Sequence, residues 1–177
     1  MESLFAFLRD FWEHLRPWIT VPPWERGVRV RLGKHVKLLR PGVHLVIPFV
    51  DVVDTVAVML QIVNLPNQSL RTLDDKTVAV SAAAAYRVSD AVKLYTEVHN
   101  YDESLVNLTM GLIAGYIATH SWQDCTLDAI QRRVSTDVRR EAKRWGIDID
   151  HVYITDLCQH KALRLLTETT YKKVGGD

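Results

Sequence analysis

The twelve residues from Thr77 to Val88, TVAVSAAAAYRV, constrain this chain more than any other stretch. Val78, Val80, Ala82, Ala84, Tyr86 and Val88 fall in phase on one face, the two-residue period of a long β-strand. Alanines at 82 to 85 occupy both faces, so a large element, a helix, is expected to pack close to the strand. Such a strand requires partner strands and a helical layer over it.

The flanking segments supply both. In residues 27–33, GVRVRLG, Val28, Val30 and Leu32 alternate with Arg29 and Arg31, which predicts a half-buried strand with the arginines on its exposed face. Pro41-Gly42 marks a turn before VHLVIPFV, and Val52 to Leu60 reads as a further strand. Beyond residue 88 the period becomes helical. Asp90 is placed to cap 91–98, with Val92, Tyr95 and His99 on one face. Asp102 is placed to cap a longer helix carrying Leu105, Leu108, Leu112, Ile113 and Tyr116. Thr126 is placed to cap 127–145, whose inner stripe is Leu127, Ile130, Val134, Val138, Ala142 and Trp145. Gly146 stands where a left-handed C-terminal cap belongs. The apolar phase of 147–157 slips between Ile149 and Val152, which predicts a bulge. Strands, then helices, then a strand give an α+β chain with a β-rich, curved, mostly antiparallel first part and an α/β second part. With 177 residues, one domain or two small subdomains are expected. The divisions expected are 1–23, 24–68, 69–158 and a short helix and tail over 159–177.

The first segment has its own character. Leu4, Phe5, Leu8, Phe11, Trp12 and Leu15 form one apolar stripe of a helix, opposite Arg9, Asp10, Glu13, His14 and Arg16. Those charges make both a signal peptide and a membrane-spanning helix a poor fit for residues 1–18. Two readings stand: the stripe packs on this chain or a sister chain, or it lies in a membrane interface, with Trp18 at headgroup level. A Pro-rich spacer is expected from Ile19 to Pro23. The net charge is only +1, which argues against a dedicated nucleic-acid binder, yet Trp24 to Pro48 holds six basic residues against one acidic. Arg29, Arg31, Lys34, Lys37 and Arg40 are the candidates for contact with anionic lipid. On 127–145, Arg132, Arg133, Asp137, Arg139, Arg140 and Glu141 are expected to face outward as an oligomer contact, joined by Leu163 and Leu166 of the C-terminal segment.

The seven histidines show no metal-ligand spacing, and neither Cys125 nor Cys158 lies in a CxxC pair. Phosphate-cradling glycine loops and a nucleophile elbow are missing from the sequence. No cofactor, metal or catalytic residue is expected, and two cysteines suit a reducing compartment.

Four ordered segments carry a resemblance. Glu25-Arg26-Gly27-Val28 through Gly33, Arg40-Pro41-Gly42-Val43 through Asp51, Thr72-x-Asp74 with Tyr86-Arg87-Val88, and Trp145-Gly146-Ile147 through Asp156-Leu157 resemble the stomatin/prohibitin/flotillin (SPFH, band-7) domain. The resemblance implies a β-rich subdomain lying against a membrane and an α/β subdomain that packs side by side into rings. It also implies no intrinsic enzymatic activity. The role implied is a scaffold for a membrane patch, often around a membrane-bound protease or channel. The chain departs from the pattern in lacking the proline after the last strand, the long coiled coil and the N-terminal hydrophobic anchor. The expected function is therefore a self-assembling, peripherally attached scaffold, on the cytoplasmic face, with itself and anionic lipid as partners. An adaptor or inhibitor of a membrane protease is the alternative, and a lipid or peptide hydrolase a third.

Overall fold

The computed structural model describes residues 17–159, in which eight strands and three helices form an α+β fold. In chain order these are β1 (Trp18–Val21), β2 (Glu25–Arg31), β3 (His35–Leu39), β4 (Gly42–Leu45), β5 (Asp51–Ala57), β6 (Gln61–Arg71) and β7 (Thr77–Val88). Then come α1 (Ala91–Glu97), α2 (Tyr101–Thr119), α3 (Leu127–Ala142), a 3-10 turn at Lys143–Trp145, and β8 (Ile147–Gln159). They make three antiparallel sheets of order β1-β4, β3-β2-β5 and β6-β7-β8.

β7 is the spine of the third sheet, with the bounds its period predicts. Val78, Val80, Ala82, Ala84, Tyr86 and Val88 join one buried cluster with Leu105, Ile113 and Ile117 of α2 and Ile130, Val134, Val138 and Ala142 of α3. Alanine lets the helices approach this face, as expected. Ala83 and Ala85 are also buried, and their cross-strand neighbours are Asn64 and Tyr153, and Ile62 and His151. The ladder shifts between Ala85–His151 and Tyr86–Ile149, so Asp150 is the extra residue of a bulge at the predicted phase slip.

Capping follows the backbone chemistry of helix starts. Asp90 accepts hydrogen bonds from the Val92 and Lys93 amides, both at 3.1 Å, and Thr126 accepts from Ala129. The cap of α2 is Asn100 rather than Asp102, whose carboxylate instead accepts the Tyr86 hydroxyl. The buried face of α1 is Ala91 and Leu94, not Val92, Tyr95 and His99, because the helix turns its small first residue to the core. Gly146 closes the 3-10 turn at φ 77°, and a Cβ there would stand 2.4 Å from the Asp90 carbonyl oxygen. Its own carbonyl accepts from the Ser89 and Asp90 amides, which ties α3 to the entry of α1.

Two further expectations are corrected. The spacer expected from Ile19 to Pro23 is β1 up to Val21, paired with β4 and ending in a buried side chain. VHLVIPFV is strand only to Leu45, then a turn. β6 begins at Gln61, so the chain passes from the β3-β2-β5 sheet to the β6-β7-β8 sheet between Ala57 and Gln61.

Candidate functional site

Two turns at one end of the first two sheets break a rule of turn chemistry in the same way. β2 and β3 join through Leu32-Gly33, with consecutive φ of 53° and 68° and a Lys34 N–H to Arg31 carbonyl bond of 3.1 Å. Positive φ at both central positions is the pattern of a type I′ turn, where Asn or Gly normally comes first. Between β4 and β5, Ile47-Pro48-Phe49-Val50 closes with a Val50 N–H to Ile47 carbonyl bond of 3.2 Å, and Phe49 has φ 69°. Proline second and positive φ third describe a type II turn, whose third position favours glycine. Large apolar residues therefore occupy the two strained positions. Their side chains face water: Phe49 is 93% exposed and Leu32 67% exposed.

Hydrogen bonds bring these turns together with a third apolar element. The Leu32 amide donates to the Val50 carbonyl at 3.0 Å, and the Val46 amide donates to the Pro17 carbonyl at 2.7 Å. Trp18 pairs with Leu45 across the β1–β4 ladder, and both are exposed, as is Ile47. Trp18, Leu32, Leu45, Ile47 and Phe49 thus form an apolar tip at the point where the described chain begins.

Asp51 is the post beneath this tip. Its carboxylate accepts from the Arg31 fork at 2.6 and 2.8 Å and from the Ile47 amide at 2.9 Å, with the Arg29 guanidinium 4.0 Å away. The Arg31 fork, then the Ile47 amide, hold its carboxyl well below the usual carboxylate range. The exposed arginine face expected from sequence is corrected here. Arg29 and Arg31 do share a face, yet their side chains are only 17% and 35% exposed, because β5 brings Asp51 against them. Lys34, Lys37 and Arg40 are exposed.

The other predicted site residues fall as follows. Leu4, Phe5, Leu8, Phe11, Trp12, Leu15, Leu163 and Leu166 lie outside the described residues. On α3, much of the charge is satisfied within the chain. Arg132 pairs with Asp128 at 2.8 Å, and Asp137 is a buried carboxylate held by Arg133 at 2.8 Å and Arg140 at 3.1 Å. Arg140 and Arg144 reach Glu141, both at 3.3 Å. Arg139 donates to the carbonyls of Ile149 and Asp150 at 2.9 and 2.8 Å, with Ser135 accepting from the Val152 amide at 3.0 Å. Asp137 therefore does not stand outward as expected, being buried, whereas Arg139 is exposed as expected and its guanidinium also covers two carbonyls of β8.

The Thr72-x-Asp74 element is a joint. Asp74 accepts from Thr72 at 2.6 Å and from the Trp122 amide at 3.0 Å and pairs with Lys76 at 3.0 Å. The Thr72 hydroxyl, then Lys76, hold its carboxyl well below the usual range. Among the described residues, no helix is long and apolar enough to cross a membrane, and no group of histidine, cysteine and carboxylate side chains is set to hold a metal.

Residues 19–164 match the model of the SPFH domain / Band 7 family. An uncharacterized protein of Methanocaldococcus jannaschii is 28% identical over 141 residues, 78% of this chain and 71% of that protein. Stomatin-3 of Caenorhabditis elegans is 29% identical over 77% of this chain and 53% of its own length. A stomatin homolog of Pyrococcus horikoshii is 27% identical over 77% and 52%. The chain spans about half the length of these two stomatin relatives.

Proposed function

Because the chain belongs to the SPFH domain / Band 7 family, whose membership points to a membrane-associated scaffold, we propose that it is a non-enzymatic scaffold that attaches peripherally to membrane and self-assembles. The apolar tip carries this reading. Strain at two turns is retained where it holds Leu32 and Phe49 in water, and a fold keeps such strain where function uses it. An aromatic and aliphatic cluster of this size is disposed to enter the headgroup boundary. The N-terminal stripe Leu4, Phe5, Leu8, Phe11, Trp12 and Leu15 precedes Pro17, which is bonded into the tip, and acts at the same surface.

Attachment through one tip and one interfacial helix is reversible, and linking many copies in a homo-oligomeric ring makes it stable. In this proposal the outer face of α3, with Arg132, Arg133, Arg140 and Glu141, and the C-terminal Leu163 and Leu166 meet a neighbouring copy, on the cytoplasmic side of the membrane. Organising a membrane patch or a client protease or channel is then the role of the ring.

Light scattering on the full chain in detergent and on nanodiscs, beside vesicle flotation, tests this. The expected result is a homo-oligomer that floats with vesicles. A monomer under both conditions overturns the scaffold, and a stoichiometric complex with a membrane protease puts the adaptor reading in its place.

A further inference from the structure

A basic concavity opens beside the apolar tip. Arg29 and Lys37 are direct cross-strand partners, so their side chains leave the same face of the β2–β3 ladder. That face looks toward β1 and β4, where Val21 packs at Gly27 and the Arg29 Nη1 reaches the Leu45 carbonyl at 3.5 Å. Between the layers is a cavity of about 440 Å³ lined by Arg29, Lys37, Arg40 and His44, with Leu39 and Leu45 as its apolar wall and no carboxylate in the lining. Asp51, 4.0 Å from Arg29, is fully covered and already engaged by both donors of the Arg31 fork. Lys37 and Arg40 enter no ion pair among the described residues. The Arg29 Nε is buried with no acceptor among them, a state that ordinarily calls for a partner.

We infer that this basin seats the phosphate of an anionic lipid headgroup, with the glycerol end against Leu45 and the acyl chains running toward the apolar tip. The inference rests on the membrane reading above and deepens it. Three cations on one concavity match a compact, multiply charged phosphate better than a spread surface charge, and guanidinium donors suit its tetrahedral oxygens. A terminal phosphomonoester, carrying nearly two charges, is favoured over the single charge of a phosphodiester. Arg31 takes no part, because it does not line the basin and its Nε–Nη2 fork is held by Asp51.

The test uses the full chain and three probes: phosphatidylcholine vesicles doped with phosphatidic acid, the same vesicles doped with phosphatidylglycerol to equal net charge, and soluble glycerol phosphate. Lys37→Gln with Arg40→Gln, both exposed positions, is compared with Lys34→Gln outside the basin. At about 1 kcal/mol per cation near the surface, the double variant loses roughly thirtyfold in affinity for phosphatidic-acid vesicles, and Lys34→Gln about twofold at most. The loss on phosphatidylglycerol is expected to be clearly smaller. Equal losses on both lipids, or a loss with Lys34→Gln as large as that of either basin substitution alone, mean diffuse attraction and overturn the basin. Binding of glycerol phosphate at Lys37 and Arg40 by a chain that floats with no vesicle assigns the basin to a soluble phosphate and overturns both its lipid occupant and the membrane reading. Flotation on neutral vesicles that the double variant leaves intact, with no phosphatidic-acid preference in the parent chain, overturns the basin while the membrane reading stands.

Discussion

Phe49→Gly should make the protein more stable and a poorer membrane binder at once. A side chain at positive φ costs about 1–2 kcal/mol relative to glycine, and glycine's extra freedom in the unfolded chain offsets about 0.5–1 of that. With only 7% of Phe49 covered, little packing is lost, so the net gain is about 0.5–1 kcal/mol. For a chain of this length that raises the melting midpoint by roughly 1–4 °C. On the membrane side, burying a phenylalanine exposed to this degree is worth about 1.4–2.8 kcal/mol on full insertion, and about half that at the headgroup boundary. The loss is therefore roughly threefold to tenfold in the partition coefficient of one copy, and it compounds when copies are linked. Leu32→Gly is the informative companion. A third of Leu32 is covered, worth about 0.5–1 kcal/mol, which cancels the relief of strain, so its stability is expected to stay near that of the parent. Thermal unfolding and vesicle flotation read the two effects separately. A lower midpoint for Phe49→Gly refutes the turn-strain argument. Unchanged flotation in the presence of a raised midpoint refutes the tip as the point of contact.

Gly146→Ala combines a left-handed backbone with a Cβ at 2.4 Å from the Asp90 carbonyl oxygen, and denaturant unfolding should show a loss of at least about 1–2 kcal/mol. Ala84→Val adds volume to a fully buried position between β7 and the helices, with about 1–3 kcal/mol lost by the same measurement. Asp51 and Asp74 have carboxyls held below their unfolded values, so the stability they contribute is present above about pH 4 and is lost as the pH falls through their folded values. Unfolding midpoints should decline from about pH 5 downward, and Asp74→Asn should give a protein less stable at neutral pH whose decline in acid is shallower.

What the sequence reveals of this fold depends on how local the determining physics is. The bounds of β7, the bulge at Asp150, the inner stripe of α3 from Ile130 to Ala142 and the cap at Gly146 are legible because periodicity and a single backbone dihedral state set each of them, while Leu127, expected on that stripe, is exposed at the first turn. β1 reads as a spacer because four residues before two prolines are too few for alternation to show, and only pairing with β4 makes them a strand. β6 is hidden because Pro66 lies where its ladder shifts, between Leu65 and Gln68, and polar residues interrupt its alternation. The state of Arg31 is beyond local reading altogether, since its partner Asp51 is twenty residues away and arrives through the β2–β5 register.

The apolar tip is hidden for a further reason. Asparagine and glycine announce turns because they relieve positive φ, and a turn that puts leucine or phenylalanine in their place erases that signal. RLGK and IPFV then read as strand continuing past its true end, with Leu32 in phase with the core face of β2 and Phe49 within the apolar run before Asp51. The backbone holds these residues in place through bonds made elsewhere: the Arg31 fork and the Ile47 amide on Asp51, and the Leu32 amide on the Val50 carbonyl. Strain at the tip is thus balanced by a charge-assisted network beneath it, in which Asp51 is fully covered while the side chains above it are not. That division sets what each substitution reports. Changes at Phe49 act on the surface contact with the framework intact, whereas Asp51→Asn weakens the framework and lets both turns relax. If the tip is the membrane contact, Asp51→Asn should weaken vesicle binding even though its own side chain is nowhere exposed, and Phe49→Gly added to it should weaken binding by less than it does in the parent chain.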